Sequence, residues 1–308
     1  MRVLVTGATG FIGSQVARQL AATGDHVIVP FRAGDDTSRI ADVLPSLDVR
    51  ALDLTDAGAV AAMVAEARPE ACVHPAWYAE PGKYLASREN LRMVDATHRL
   101  AEALADAGCR RFVGVGTNAE LDTDVGVLAE DAPPLPRSLY AACKLGLSYS
   151  LAELGALTGM EFAWARIFYL YGPHEDPRRL VSSVIRSLLA GREARCSDGL
   201  QERDFLHVAD VAGGLVATLR SGLTGPVHVG AGEGVSVRAL VETLGDLTGR
   251  SDLLRFGVLP RPAGDPARVV ADTTKLRTGS GWSPRYTLRE GLADTVAWWR
   301  GRELSPPA

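Results

Sequence analysis

The 308-residue chain is poor in cysteine and lysine and carries little net charge. Its four cysteines stand far apart without a CxxC pair, so the sequence predicts neither a zinc site nor a disulfide framework. No apolar run reaches the roughly 20 residues that cross a bilayer, and the first residues enter a glycine loop before a signal-peptide core could form. The net charge of -4 argues against a nonspecific nucleic-acid binder. We therefore expect a cytoplasmic globular enzyme with no membrane segment, no metal site and no nucleic-acid partner.

The first two-thirds of the chain alternate between short apolar runs and helix-like stretches. The apolar runs predict buried parallel strands at residues 2–5, 26–29, 49–52, 71–74, 112–115 and 162–167. Helices are predicted between them at residues 13–22, 57–67, 91–107 and 139–157. This alternation predicts an α/β fold with a doubly wound parallel sheet, followed by a smaller lobe in the proline-interrupted C-terminal third.

A glycine loop follows the first predicted strand and precedes the first predicted helix. Residues 6–13 read TGATGFIG, in which Gly7 permits a tight turn, Gly10 admits a pyrophosphate and Gly13 lets the helix pack closely on the strand. The helix N-terminus offers free N–H groups and a positive dipole end to phosphates. Because a strand and a helix flank the loop as a dinucleotide site requires, the sequence predicts that a nicotinamide cofactor binds there. The predicted loop contacts are Gly7, Thr9, Gly10, Phe11, Ile12 and Gly13.

The end of the second predicted strand bears on the choice of cofactor. An NAD site usually places a carboxylate there, which binds the ribose 2′-hydroxyl. Here Phe31 takes that position and Arg32 follows, and a guanidinium suits a 2′-phosphate by its charge and its forked geometry. Asp35 and Asp36 come too late after the strand to replace the missing carboxylate. The sequence therefore favours NADP (NADPH), with a merely solvated Arg32 as the alternative.

Three residues form the predicted catalytic set. Tyr140 and Lys144 are spaced i, i+4 on a predicted helix, which places both side chains on one helical face. A nearby ammonium stabilises a phenolate, so we expect Lys144 to lower the pKa of Tyr140 and to help it donate a proton to a carbonyl oxygen. Lys144 would also hold the nicotinamide ribose. Thr117 ends the fifth predicted strand, where its hydroxyl can hydrogen-bond the substrate oxygen; a turn threonine is the alternative.

These motifs resemble those of the extended short-chain dehydrogenases, the group of UDP-galactose 4-epimerase and the nucleotide-sugar dehydratases. The resemblance covers nearly the whole chain and implies a Rossmann domain with a smaller C-terminal α/β substrate lobe. It assigns residues 1–168 and about 205–229 to the NADP-binding domain, and about 169–204 and 230–308 to the lobe. The motifs that carry it are TGATGFIG, DLTD at 53–56, Thr117, the Tyr140/Lys144 pair, RIFYLYGP at 166–173, RDFLHVADV at 203–211, VHVGAGE at 227–233 and GWSP at 281–284.

The resemblance also implies where ligands bind and how two chains associate. The substrate would be a nucleotide sugar, whose diphosphate Arg203 would bind with help from Arg261 and Arg268; for each of the three, a surface arginine is the alternative. The corresponding helices of the family often pair across a two-fold axis, which implies a homodimer built on residues 91–107 and 139–157. The cofactor contacts that the resemblance adds lie near the adenine and after the fourth strand: Asp53, Leu54, Pro75 and Ala76. The remaining residues of the implied substrate pocket are Trp77, Tyr78, Asn118 and Tyr169.

Two departures from the family pattern fall in the substrate site. The asparagine expected on the fourth helix is displaced, with Asn90 one turn early and Met93 in its place. One family arginine that contacts the phosphates appears as Pro262. We therefore expect a substrate site that differs from that of the epimerase.

The residues after Thr117 separate the activities of the family. The 4,6-dehydratases follow their catalytic threonine with Asp-Glu, the acid and base that remove water, whereas Asn118 and Ala119 stand here, so dehydration is not expected. Family epimerases and dehydratases retain NAD and return the hydride, so an NADP-type site favours net reduction. The segments HPAWY at 74–78, PGKYL at 81–85 and GTNAE at 116–120 resemble the NDP-4-keto-6-deoxyhexose 4-ketoreductases, such as CDP-abequose synthase.

The predicted activity is therefore NADPH-dependent reduction of the C4 ketone of a nucleotide-linked 4-keto-6-deoxyhexose, with dTDP as the first nucleotide to consider. Tyr140 would be the proton donor in this reaction. Two alternatives stay open: a nucleotide-sugar 4-epimerase with retained NAD, and a non-catalytic NADP sensor on the same fold.

Overall fold

The computed structural model describes residues 1–303, so residues 304–308 of the predicted lobe lie outside the described part of the chain. The strands are, in chain order, β1 (Arg2–Val5), β2 (His26–Phe31), β3 (Asp48–Ala51), β4 (Ala71–His74), β5 (Arg111–Thr117), β6 (Val127–Leu128), β7 (Glu161–Ile167), β8 (Tyr169–Tyr171), β9 (Ala194–Arg195), β10 (Glu202–Arg203), β11 (Phe205–His207), β12 (Gly225–Val229), β13 (Val235–Ser236), β14 (Leu254–Arg255) and β15 (Arg268–Ala271). The helices are α1 (Phe11–Ala22), α2 (Ala57–Ala67), α3 (Glu89–Asp106), α4 (Leu139–Thr158), α5 (Leu180–Leu189), α6 (Val208–Arg220), α7 (Val237–Thr248), α8 (Thr274–Ser280) and α9 (Leu288–Glu303).

Seven parallel strands form the main sheet, in the order β3-β2-β1-β4-β5-β7-β12. The helices α1 and α6 pack on one face, and α2, α3 and α4 pack on the other, each through its own hydrophobic core. This arrangement confirms the predicted α/β fold with a doubly wound parallel sheet. The strand order reverses between β1 and β4, and ligands of such sheets bind outside the carboxyl ends of the strands at that point.

The predicted bounds hold where an apolar run ends at a turn, as for β1, β4 and α2. They fail for the second strand, which the sequence ends at residue 29 but which continues through Pro30 to Phe31. The pairing of β1 with β2 stops at Ile28, so beyond that residue only β3 lies beside β2. Proline is tolerated where a strand has a neighbour on one side only, which explains the longer strand.

The fifth strand extends beyond its apolar run at residues 112–115 and ends at Thr117, as the sequence analysis expected of that threonine. A Cβ on Gly114 or Gly116 would lie 2.5 Å or 2.2 Å from the Trp164 indole. The two glycines therefore make room for the ring of Trp164, which stands on the neighbouring strand β7. This packing places the end of β5 directly above a buried aromatic side chain.

A smaller lobe surrounds a separate hydrophobic core to which α5, α7 and α9 contribute. It contains a mixed sheet in the order β13-β10-β15-β6 and two strand pairs, β8 with β11 and β9 with β14. Strand β6 comes from the segment between β5 and α4, inside the range assigned to the cofactor domain, and it pairs with β15. The division into two domains stays a prediction.

No helix within residues 1–303 is long and apolar enough to cross a bilayer.

Candidate active site

The glycine loop has the geometry that a pyrophosphate requires. Gly7 has a φ of +61°, and the Gly10 N–H donates to its carbonyl at 2.9 Å. A Cβ on Gly7 would lie 2.8 Å from Ala76 Cα, and one on Gly13 would lie 2.1 Å from the Gly7 carbonyl oxygen. Helix α1 begins at Phe11 with no side-chain cap and no acidic residue in its first turn. The loop therefore fits a dinucleotide, because Gly7 and Gly13 cannot be replaced without a clash and the helix N-terminus is open to an anion.

The predicted cofactor residues beyond the loop lie at the expected strand ends. Pro75 and Ala76 follow β4, with Ala76 buried against the loop. Asp53 and Leu54 follow β3, where Leu54 packs on the sheet and the Asp53 carboxylate accepts from the Thr55 N–H at 2.9 Å. These residues surround the carboxyl edge of β1, β3 and β4.

Arg32 is exposed just after β2 and is paired with Asp35. Its Nη2 atom lies 3.0 Å from Asp35 Oδ1, and its pKa is raised chiefly by that hydrogen bond and further by the charge of Asp53. The sequence interpretation placed Asp35 too late to act at the strand end, whereas the loop folds its carboxylate back onto Arg32. Arg39 also reaches this region: its Nη1 donates to the Thr9 carbonyl at 3.3 Å. Nothing in the sequence pattern pointed to Arg39, because the loop that carries it has no regular structure.

Thr117 and Tyr140 come together at the carboxyl end of β5. Thr117 is the last residue of that strand, and Tyr140 lies in the first turn of α4, which Ser138 caps through the Ala141 N–H at 3.1 Å. The Tyr140 hydroxyl lies near enough to the Thr117 side chain for that side chain to lower the pKa of Tyr140. A backbone hydrogen bond from the Tyr140 N–H to the Leu85 carbonyl, at 3.1 Å, fixes the start of α4 against the loop after β4.

The predicted effect of Lys144 on Tyr140 is wrong in this structure. Burial raises the pKa of Tyr140 above its usual value, and the charges of Tyr84 and Glu120 add to the rise, whereas the Thr117 side chain only opposes it. The reason is that the Lys144 ammonium is directed elsewhere: its Nζ atom donates to the Val115 carbonyl at 2.7 Å. Tyr140 therefore keeps its proton at neutral pH, as a proton donor must.

Lys144 is buried, and its ammonium lies 3.7 Å from the centroid of the Trp77 ring. Burial lowers the pKa of Lys144 to about 7, and the negative charge of Glu120 partly opposes that effect. The sequence interpretation placed Trp77 in the substrate pocket and did not foresee this contact. Its neighbour Tyr78 turns away, with its hydroxyl donating to Glu80 Oε2 at 2.9 Å.

Asn90, in the first turn of α3, contacts Trp77. It is fully buried, its Oδ1 atom accepts from Trp77 Nε1 at 2.8 Å, and its amide donates to the Tyr84 carbonyl at 2.7 Å. The residue that stands one turn earlier than the family pattern expects therefore binds the loop after β4. The helix begins at Glu89, two residues before the predicted start, which brings Asn90 into the helix.

The turn after Thr117 presents no free carboxylate. Asn118 is buried, and Glu120 points inward, where its Oε2 atom pairs with Arg166 Nε at 2.9 Å and both oxygens accept from Trp164 Nε1 at 3.0 Å. The Thr117 N–H donates to Glu120 Oε1 at 2.8 Å. Glu120 therefore fixes the backbone of Thr117 through this hydrogen bond. The sequence of the GTNAE segment alone did not predict this role.

Arg203 is buried in the lobe and forms an ion pair with Asp265, while its guanidinium lies 5.4 Å from the Tyr169 ring centroid. Tyr169 is partly buried at the start of β8. The structure thus brings these two predicted substrate residues together, with an acidic partner from the segment before β15. Asp265 was not among the predicted residues.

The other two predicted arginines do not join Arg203. Arg268 faces Glu202 in the β10–β15 register, at 3.1 Å, so it lies on the face opposite to Arg203, the next residue of β10. Arg261 lies 3.8 Å from Asp198. Each of these two side chains has a separate carboxylate partner.

Known proteins resemble this chain in sequence and in fold. The model of the NAD dependent epimerase/dehydratase family matches residues 3–230. The UDP-glucose 4-epimerase of Mycolicibacterium smegmatis is 32% identical over 323 residues, which cover 98% of this chain and 99% of that relative. A solved UDP-glucose 4-epimerase from Thermotoga maritima, with UDP-glucose, has a TM-score of 0.88 at 26% identity and covers 98% of this chain and 100% of that chain. A dTDP-glucose 4,6-dehydratase from Streptomyces venezuelae, with NAD bound, has a TM-score of 0.84 at 30% identity and covers 98% of each chain.

Proposed function

This chain belongs to the NAD dependent epimerase/dehydratase family, and we propose that it reduces the C4 ketone of a nucleotide-linked 4-keto-6-deoxyhexose with NADPH. When bound, the nicotinamide supplies the hydride. The chain's own residues hold the ketone, supply the proton to its oxygen and orient the cofactor.

The turn after Thr117 carries this proposal. Elimination of water from a sugar needs an acid and a base beside the ring, and Asn118 and Ala119 supply neither. Glu120, the carboxylate of that turn, is committed to Arg166 and to the Thr117 N–H. What is left is a hydroxyl pair, Thr117 and Tyr140, which suits addition of a proton to a carbonyl oxygen.

Each of the three catalytic residues has one task in this reaction. Thr117 orients the C4 oxygen by a hydrogen bond, and Tyr140 donates its proton to that oxygen as it gains negative charge. The raised pKa of Tyr140 keeps the phenol protonated until the substrate binds. Lys144, whose ammonium is buried beside the Val115 carbonyl, binds the ribose of the nicotinamide.

The choice of NADPH over NADH rests on the end of β2. Phe31 itself supplies no carboxylate, and the exposed guanidinium of Arg32, although paired with Asp35, offers a charge-assisted partner to a 2′-phosphate. Solved relatives bind NAD, so the proposal separates this chain from them at that position. A cofactor that is consumed, not retained, fits net reduction.

The nucleotide would bind in the smaller lobe through Arg203. Its guanidinium is buried beside Tyr169 and neutralised by Asp265, so a diphosphate would compete with that carboxylate for the arginine. A relative that acts as a dTDP-glucose 4,6-dehydratase makes dTDP the first nucleotide to test.

A second candidate is nucleotide-sugar 4-epimerisation with retained NAD. The observation in its favour is the 32% identity to a UDP-glucose 4-epimerase over nearly the whole of both chains. Epimerisation uses the same proton donor in both directions, so the catalytic set does not distinguish it from reduction. The two activities differ in whether added cofactor is consumed.

A panel of substrates tests the proposal. The purified chain is incubated with NADPH and with dTDP-, CDP-, GDP- and UDP-4-keto-6-deoxyhexoses in parallel, and cofactor consumption and product NMR are recorded. The proposal requires consumption of NADPH with at least one of them and a new C4 alcohol. Conversion of UDP-glucose to UDP-galactose without cofactor consumption would support the second candidate instead.

We also propose that two chains associate through α3 and α4. The two helices pack against each other, and their outer faces expose Leu91 and Tyr149, with Leu157 at 84% exposure. Large apolar side chains on one helical pair fit an isologous interface.

A further inference from the structure

Within residues 1–303, no carboxylate lies within ion-pair distance of the buried Lys144 ammonium. Its Nζ atom donates to the Val115 carbonyl at 2.7 Å and lies over the Trp77 ring at 3.7 Å from the centroid. Glu120 acts on Lys144 only from beyond ion-pair distance, since its oxygens are bound to Arg166, Trp164 and the Thr117 N–H. An ammonium that is buried in this way needs partners that replace water, and the π face of an indole is one of them.

The orientation of the Trp77 ring is fixed from its other edge. Its Nε1–H donates to Asn90 Oδ1 at 2.8 Å, and the Asn90 amide donates to the carbonyls of Tyr84 and Ser87 at 2.7 Å and 2.8 Å. All of these contacts lie in the loop that joins β4 to α3 or in the first turn of α3. The ring cannot rotate away from Lys144 without breaking the hydrogen bond to a fully buried asparagine.

The same ring also contacts the proton donor. Trp77 and Tyr140 lie edge to face, with centroids 6.3 Å apart and an interplanar angle of 71°. Tyr84 also packs edge to face with Tyr140, with centroids 4.9 Å apart and an interplanar angle of 82°. The loop thus provides an aromatic wall that contacts both members of the catalytic pair.

We propose that Trp77 is a positioning residue of the active site, which keeps the Lys144 ammonium charged and in place through its π face, and that Asn90 acts through it by fixing the ring. Its catalytic consequence rests on the proposed function, whereas the contact itself is a property of the chain alone. The role differs from the substrate contact that the sequence suggested for Trp77.

Two physical effects of the ring oppose each other, and that makes the proposal testable. Exclusion of water disfavours the ammonium, whereas the ring quadrupole favours it. A Trp77→Leu variant keeps most of the exclusion and loses the quadrupole, so the pKa of Lys144 should fall further. A Trp77→Phe variant keeps an aromatic face but has no N–H for Asn90, so the pKa should change little while the position of the ring becomes less fixed.

The chain is suited to a direct measurement because its lysines are Lys83, Lys144 and Lys275. Lysine side chains labelled with ¹³C at Cε are titrated by NMR in the cofactor-free enzyme, and the Lys144 signal is assigned by comparison with the Lys83→Arg and Lys275→Arg variants. We expect the Lys144 pKa of Trp77→Leu to lie about one unit below wild type, a tenfold change in the ratio of ammonium to amine. Tyr78→Leu, on the next residue of the same loop, is the matched control and should leave that pKa unchanged.

A kinetic measurement then tests the positioning by Asn90. Asn90→Ala and Trp77→Phe should lower kcat about tenfold, because the ammonium is less well placed, with KM for the sugar nucleotide little changed. The proposal is overturned if Lys144 titrates identically in wild type and Trp77→Leu. Should that variant not fold, Trp77→Met, which is also non-aromatic, gives the same comparison. Because the titration needs no substrate, a failure of the proposed reaction would leave its result intact, so the two failures are distinguishable.

Discussion

Arg32 and Asp35 form an ion pair at the end of β2, with Nη2 of the arginine 3.0 Å from Oδ1 of the carboxylate. The Arg32 N–H also donates to Asp35 Oδ2, at 3.1 Å. A 2′-phosphate that binds Arg32 must compete with this carboxylate, whereas a 2′-hydroxyl would find in it an acceptor. Arg32 therefore favours NADPH and Asp35 favours NADH, and the balance between the two side chains sets the choice of cofactor.

Substitution of the two residues should shift the cofactor preference in opposite directions. Arg32→Ala removes a charge-assisted contact of about 1.5–3 kcal/mol and should weaken NADPH binding by one to two decades, with NADH little affected. Asp35→Asn removes the competing charge and should tighten NADPH, and Phe31→Asp should reverse the preference toward NADH. The measurement is the ratio of kcat/KM for NADPH to that for NADH in each variant.

A control for these variants is Arg250→Ala, which removes a half-buried arginine of the lobe that pairs with Asp252 at 3.3 Å. It should leave the ratio unchanged. A wild-type enzyme that prefers NADH would contradict the assignment and would favour the epimerase.

Tyr140→Phe should abolish most of the activity and leave the cofactor site intact. Loss of a general acid typically lowers the rate 10²–10⁴-fold, so turnover should fall by about that factor while the Kd of NADPH stays within a few-fold. Tyr149→Phe, on the exposed face of the same helix, removes an equivalent hydroxyl and should have wild-type turnover. Near-normal turnover of Tyr140→Phe would exclude its role as the proton donor.

The pH dependence of kcat/KM for NADPH should report Lys144. The pKa of Lys144 is lowered to about 7 by burial, so the ammonium is present below that pH and is lost above it. Because kcat/KM reflects the free enzyme, it should be constant well below pH 7, fall by about half near pH 7 and then fall about tenfold for each further pH unit. Tyr140, whose pKa is raised, stays protonated over this range. Lys144→Arg keeps its charge at every pH and should show no such fall; a wild-type profile that is flat to pH 9 would contradict this interpretation.

The proposed dimer can be tested through the exposed residues of α4. Light scattering at micromolar concentration should give twice the mass of the 32.7 kDa chain. Tyr149→Glu places a charge in the proposed interface and should give the monomer mass, because an unpaired charge is costly to bury. Tyr286→Glu, an exposed tyrosine of the lobe, is the control and should remain dimeric. A wild-type monomer would exclude the interface.

The main sheet could be read from the sequence because a buried parallel strand must be a continuous apolar run. The exceptions are positions where the partner lies far away in the chain. Gly114 and Gly116 look like strand breakers until Trp164, on β7, is seen to occupy the space beside them. The elements of the lobe were not predicted individually, since its two-residue strands β6, β10 and β13 are defined by their partners and not by their own sequence.

The active site also has some features that the local sequence predicts and others that depend on distant parts of the chain. The glycine loop and the Tyr140/Lys144 pair are local patterns, so their positions follow from spacing alone. The direction of the Lys144 ammonium does not, because it depends on the Val115 carbonyl and on the Trp77 ring, which belong to other elements. The pKa of Tyr140 was therefore predicted in the wrong direction.

The most direct test of the account is the fate of the hydride. NADPH that carries deuterium at the transferred position is supplied with the 4-keto-6-deoxyhexose nucleotide that the panel identifies, and the product is examined by mass spectrometry and NMR. The account predicts one deuterium at C4 of the sugar and one NADPH oxidised for each alcohol formed. A product without deuterium at C4, or interconversion of C4 epimers with no cofactor oxidised, would contradict it.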